Sequence, residues 1–128
     1  MTSHFILFVR DQARSAEFYA KVLKIEPRLN VTGMTEFQLG SDAVLGLMPF
    51  TGASRLLGIN DPRGNADENA ACAELYLVVD SPGEHHERAL KEGAREISAL
   101  VDRDWGHRAA YCFDPDGHVL AFAEVIAS

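Results

Sequence analysis

Cysteine, basic clusters and long apolar runs are scarce in this chain, and each scarcity removes a class of protein. The two cysteines, Cys72 and Cys112, show no Cys-x-x-Cys spacing and no disulfide framework, so both read as buried thiols within or beside strands. The longest apolar runs, Phe5 to Val9 and Ala43 to Phe50, fall far short of the roughly 20 residues that cross a bilayer. No basic segment followed by an apolar stretch opens the chain, so no signal peptide is expected and the cytoplasm is the expected location. Twelve Lys and Arg against 19 Asp and Glu give a net charge of −7. With no basic cluster, neither nucleic acid nor an anionic membrane is expected as partner, and a neutral or cationic small molecule fits better.

What is present is enough apolar material for one core. At 128 residues and 47% hydrophobic, the chain is long enough for one domain, 1–128, and too short for two independent ones. His4 to Val9 reads as a buried strand, and Asp11 is placed to cap a helix whose apolar face is Phe18, Tyr19, Val22 and Leu23, ended by Pro27. Short strands are expected at Arg28 to Val31, Glu36 to Leu39 and Ala43 to Met48. From Thr51 to Asn69 periodicity gives way to Gly, Pro, Asn and Asp, the pattern of a connecting loop.

The pattern then restarts. Glu74 to Val79 is a strand, and Ser81-Pro82-Gly83-Glu84 has capping-box spacing with Pro at the first helical position. Ala89 and Leu90 give the helix an apolar face, and Gly93 ends it. Strands follow at Ile97 to Val101, Ala109 to Phe113 and Val119 to Val125, the last two joined by the turn Asp114-Pro115-Asp116-Gly117. A β-α-β-β-β pattern thus occurs twice at a period of about seventy residues, which reads as an internal duplication. The expected fold is α+β: two β-α-β-β-β modules, about 1–52 and about 70–128, joined by a loop of about 53–69. They are expected to be related by a pseudo-two-fold axis, with curved mixed sheets around a shared cleft that holds a small ligand.

Three stretches carry a family resemblance: His4-Phe5-Ile6-Leu7-Phe8-Val9-Arg10-Asp11; Arg14-Ser15-Ala16-Glu17-Phe18-Tyr19 with Val22-Leu23; and Trp105-Gly106 leading into Phe113-Asp114-Pro115-Asp116-Gly117-His118. In this order they resemble the vicinal oxygen chelate superfamily of glyoxalases, bleomycin-resistance proteins and extradiol dioxygenases. In metal-dependent members, four strand positions facing the cleft supply ligands, and the resemblance places these at His4, Gly46, Glu74 and Ala121. Gly46 and Ala121 cannot ligate, so the usual site is half dismantled. The resemblance also implies a homodimer.

Strand alternation puts His4, Ile6 and Phe8, Val44, Gly46 and Met48, Glu74, Tyr76 and Val78, and Val119, Ala121 and Ala123 on the cleft side. Phe5, Leu7 and Val9, and Leu75, Leu77 and Val79, then face the helices, and small residues in the cleft make room for a ligand. His4 and Glu74 are a polar pair, two metal ligands or an acid/base couple, with Glu74 the candidate catalytic residue. His107, His118 and Glu124 are the candidates for a third ligand. Phe8, Met48, Tyr76, Trp105 and Tyr111 are the candidate ligand-binding residues, against packing roles for Trp105 and Tyr111. His85 and His86 read as a solvated pair, and Asp114 and Asp116 as turn chemistry. Arg55, Arg63 and Asp67 in the loop either close over a ligand or are solvated.

The expected function is binding of a small organic molecule in an apolar cleft without the complete catalytic metal site, and no cofactor. The alternative is a divalent-metal-dependent lyase, isomerase or dioxygenase using His4 and Glu74. A third reading is an interaction module whose cleft is filled by its own side chains.

Overall fold

The computed structural model describes residues 1–58 and 73–126, and the chain divides into two compact units, residues 1–66 and 67–128. Cys72, Arg63 and Asp67, together with the rest of the expected loop beyond Gly58, lie outside the described residues.

In the first unit, β1 (Ser3–Val9) leads into α1 (Gln12–Leu23), followed by β2 (Leu29–Val31), β3 (Met34–Leu39) and β4 (Ala43–Pro49). Asp11 caps α1 as expected, its extended backbone letting the carboxylate accept from Arg14 N at 3.1 Å. Ser15, Phe18, Tyr19 and Val22 recur at helical spacing and are buried, and α1 packs against β3 and β4. The sheet order is β1-β4-β3-β2, with β1 and β4 parallel and the other pairs antiparallel.

Two expectations for this unit fail. The run from His4 to Val9 is a strand but not a buried one: Phe5 and Ile6 are 53% and 40% exposed, and of the run only Val9 is fully buried. The reason is position, since β1 is an edge strand and α1 lies over β3 and β4 instead. The presumed loop also begins with a helix, α2 (Phe50–Leu57), packed on β4 and β1 and ended by Gly58 at φ 69°. Arg55 is an exposed residue of that helix.

The second unit repeats the topology. It comprises β5 (Glu74–Val78), α3 (Pro82–Lys91), β6 (Arg95–Asp102), β7 (His107–Phe113) and β8 (Val119–Val125), with sheet order β5-β8-β7-β6. β5 and β8 are parallel, and β8, flanked on both sides, is buried from Leu120 through Ala123. The Asp114 turn is structural chemistry, as expected. The buried carboxylate accepts from Asp116 N and His118 N at 2.9 Å, while Gly117 takes φ 87°.

At α3 the capping box does not form. Ser81 has φ 56° and its side chain makes no cap bond, because a hydroxyl that reaches the first turn needs an extended backbone there. Its carbonyl instead accepts from Glu84 N and His85 N. Pro82, His86 and Ala89, at i, i+4 and i+7, form the buried stripe. His86 is therefore not solvated: it is 5% exposed and its Nε2 lies 2.9 Å from Glu96 Oε2. His85 lies against Phe122 with ring centroids 5.4 Å apart, and its Nδ1 donates to Ser81 O. The expected pair is thus split between two environments. Cys112 is fully buried, as expected, and burial, then the Asp114 and Glu96 charges, push its thiol up to about 12.

Candidate functional site

Each sheet has one face against its helix and a second face, and alternation decides which side chains reach the second. In the first unit that face carries His4 opposite Val44, Ile6 opposite Gly46 and Phe8 opposite Met48, with Glu36 opposite Gly46 on its other side. Phe8 and Met48 are thus neighbours, both half-buried. His4 stands with its Nδ1 3.7 Å from Glu36 Oε2, too long for a hydrogen bond. Arg28 holds Glu36 more firmly, with Nη2 and Nε at 2.8 and 2.9 Å from Oε1, and its Nη1 donates to Gln38 at 3.0 Å. Arg28, Glu36 and Gln38 were not anticipated as site residues. Parity within Met34-Thr35-Glu36-Phe37-Gln38-Leu39 is the signal that finds two of them, because buried Thr35 and Phe37 alternate with Glu36 and Gln38.

Gly46 does not make room for a ligand. A methyl group there would stand 3.1 Å from Ile6 Cγ1 and 3.3 Å from Met34 Sδ, so neighbouring side chains already close over the backbone.

In the second unit, Tyr76 on β5 and Tyr111 on β7 flank Ala121 of β8 in register, and Val78 and Ala109 flank Ala123. Strands lie about 4.8 Å apart, so side chains on β5 and β7 meet only if those on β8 are small. Ala121 and Ala123 meet that condition. Tyr76 reaches across to His107, with rings at 25° and centroids 5.8 Å apart and Oη 2.7 Å from Nδ1. Trp105, 55% exposed on the β6–β7 connection, donates its Nε1–H to the same hydroxyl at 3.0 Å. Tyr111 is tilted against Tyr76 at 6.5 Å and lies beneath the Arg103 guanidinium at 5.0 Å. Burial, and then the nearby charge of Glu74, raise the Tyr111 phenol above its ordinary value. Arg103 itself is anchored by Ala99 O, Ala109 O and Ser98 Oγ, where β6 carries register irregularities.

Of the residues expected in the site, then, the structure brings Tyr76, Trp105, Tyr111 and Ala121 together with His107, adds Arg103, and leaves Glu74 exposed on the same face by parity. His4 and Glu74 belong to different units. Of the candidate third ligands, the His107 ring is engaged with Tyr76 and the Glu124 carboxylate with Arg108, while His118 gives its backbone N–H to Asp114. Within neither unit do three or more His, Cys, Asp or Glu side chains among the described residues stand together as a metal cage. Glu36, the carboxylate beside His4, is charge-paired with Arg28, and Gly46 is overgrown by Ile6 and Met34. Among the described residues, the donors within each unit do not fit a catalytic divalent ion.

The repeated β-α-β-β-β topology and the Asp-Pro-Asp-Gly turn agree with a sequence match over residues 2–122 to the Glyoxalase/Bleomycin resistance protein/Dioxygenase superfamily. The chain belongs to that superfamily. Among solved structures it resembles a glyoxalase-related enzyme from Fulvimarina pelagi, 19% identical, with TM-score 0.81 over 97% of this chain and 87% of that one. It also resembles a glyoxalase/bleomycin resistance protein/dioxygenase family enzyme from Burkholderia phytofirmans PsJN, 18% identical, with TM-score 0.79 over 95% and 96% of the two chains. A third is TioX from Micromonospora sp. ML1, 16% identical, with TM-score 0.67 over 98% of each chain. No curated protein gives a significant match. At these identities the likeness speaks for the fold, which hosts many chemistries.

Proposed function

We propose that this protein binds a small planar organic molecule on the aromatic face of its second sheet, without a catalytic metal. The observation that carries the reading is Trp105: a large aromatic left 55% exposed, yet fixed by its bond to Tyr76 beside Tyr111 and His107. A ring held in place with an open face loses little conformational entropy when a ligand stacks on it. Phe8 and Met48 supply an apolar patch on the first sheet. In this reading the protein works in the cytoplasm as a homodimer, as the family resemblance implies, and Glu74 is a charged neighbour of the ligand with no catalytic duty.

The test uses the chain's single tryptophan. Titrating planar bicyclic aromatics against the wild type should change Trp105 fluorescence saturably and raise the thermal midpoint by mass action, and Trp105→Ala should lose at least ten-fold in affinity. Affinity unaltered by Trp105→Ala would place the ligand elsewhere and sink the proposal. Light scattering tests the dimer, and metal analysis of protein purified without chelator should find well under one divalent ion per chain.

A further inference from the structure

The network on Tyr76 has a direction. Trp105 Nε1 can only donate, so the Tyr76 oxygen accepts from it. The remaining contact, 2.7 Å to His107 Nδ1, is satisfied in one of two ways. If Nδ1 carries a hydrogen, the phenol oxygen takes two donors and its own hydrogen is left without a described partner. If Nδ1 is bare, the phenol donates to it and every group in the chain is used once. The separation favours the second arrangement, because 2.7 Å is usual when a hydroxyl donates and short when a ring N–H donates. A neutral imidazole with bare Nδ1 carries its hydrogen on Nε2. No described residue bonds Nε2, and it is not among the buried unpaired polar atoms, which among the described residues comprise His86 Nδ1 alone. It therefore meets solvent beside the Trp105–Tyr76 surface.

We propose that His107 reads the ligand, its Nε2–H donating to a carbonyl or similar neutral acceptor oxygen of a planar molecule stacked on Trp105. Trp105 and Tyr76 act as positioning residues that fix the imidazole tautomer. The inference rests on the small-molecule reading above and adds to it the ligand's chemical class. A carboxylate fits less well: the Arg103 guanidinium is committed to Ala99 O, Ala109 O and Ser98 Oγ, and Glu74 places a negative charge on this face. A ligand offering only hydrogen-bond donors finds no partner at Nε2–H.

Two measurements on the wild type test this. Long-range proton–nitrogen correlation on the neutral imidazole should show His107 with Nδ1 unprotonated and Nε2 protonated, and the reverse assignment overturns the proposal. Fluorescence titration with 1-indanone and indane, which share a bicyclic frame and differ by one carbonyl oxygen, should favour indanone about five-fold or more, the effect of one hydrogen bond. In His107→Phe the ratio of the two affinities should fall to about one, whatever happens to the absolute affinities. Equal affinity of the wild type for both probes overturns the role of His107 and leaves the small-molecule reading standing. Binding of neither overturns both.

Discussion

Replacing Gly46 with alanine sets two known effects against each other. Glycine inside a strand costs about 0.5–1 kcal/mol relative to alanine through the entropy of the unfolded chain, and a buried methyl group contributes about 0.8 kcal/mol where it fits. It does not fit here, since Ile6 Cγ1 and Met34 Sδ would stand at 3.1 and 3.3 Å, inside the 3.5–4.0 Å optimum of carbon contacts. Overpacking of this kind costs about 1–3 kcal/mol. Ile6 is 40% exposed and Met34 is flexible, so both can yield, which places the cost near the lower end. With the entropic gain set against it, the expected net result is a small destabilisation of about 0.5 kcal/mol. In an Ile6→Ala background the sign should reverse, with Gly46→Ala stabilising by about 0.5 kcal/mol, a coupling of about 1 kcal/mol. The assay is urea denaturation followed by far-ultraviolet circular dichroism, because the single tryptophan belongs to the second unit and does not report directly on the first. Stabilisation by Gly46→Ala in the wild type, or equal cost in both backgrounds, would show that the position is open.

Two further outcomes concern buried ionisable groups. Cys112 is neutral when protonated, and its folded-state value lies near 12 against an ordinary 9.0, so the folded chain keeps a proton that the unfolded chain releases. Stability is intact below pH 9 and falls as pH rises toward 12, by ~2 kcal/mol between 9 and 10.5. Urea midpoints at pH 8 and 10.5 should therefore separate wild type from Cys112→Ala, and equal losses in the two proteins would refute the assignment. His86 has one ring nitrogen bonded to Glu96 and one buried with no partner, so His86→Met, which removes both polar atoms, should be neutral or stabilising by up to ~1 kcal/mol. Glu96→Ala, which strands the bonded nitrogen, should cost ~1–3 kcal/mol, and the opposite ranking of the two variants would count against this geometry.

The fold was legible because its boundaries rest on local chemistry. Asp11, Pro27, Gly93 and Asp114-Pro115-Asp116-Gly117 each act on the backbone beside them. What escaped depends on tertiary context. Helix α2 has eight residues, one of them buried, and is too short to be stable alone, so its support comes from β1 and β4 rather than from its own pattern. The exposure of Phe5 follows from β1 being an edge, which strand order decides. Ser81 had the residue type for a cap, while a left-handed backbone denied it the geometry. At the site, alternation placed Tyr76 on the cleft side without saying that it would lie beside Tyr111 or meet His107. That contact spans an intervening strand, and its length depends on what that strand carries.

Ala121 can then be understood without reference to a lost metal ligand. In the first unit Gly46 is opposite Ile6 of the neighbouring parallel strand, and in the second Ala121 is opposite Tyr76, so the two small residues occupy equivalent register positions in the repeat. What their neighbours do with the space differs. Around Gly46 two apolar side chains close in, and the polar groups Arg28, Glu36 and Gln38 bond one another. At Ala121 and Ala123 the strand is low enough for a tyrosine to cross it diagonally and bond a histidine, and a tryptophan donates to the same hydroxyl. A long side chain at 121 or 123 would stand between Tyr76 on β5 and His107 on β7. The Tyr76–His107 contact therefore depends on small side chains in β8, and this sequence carries them.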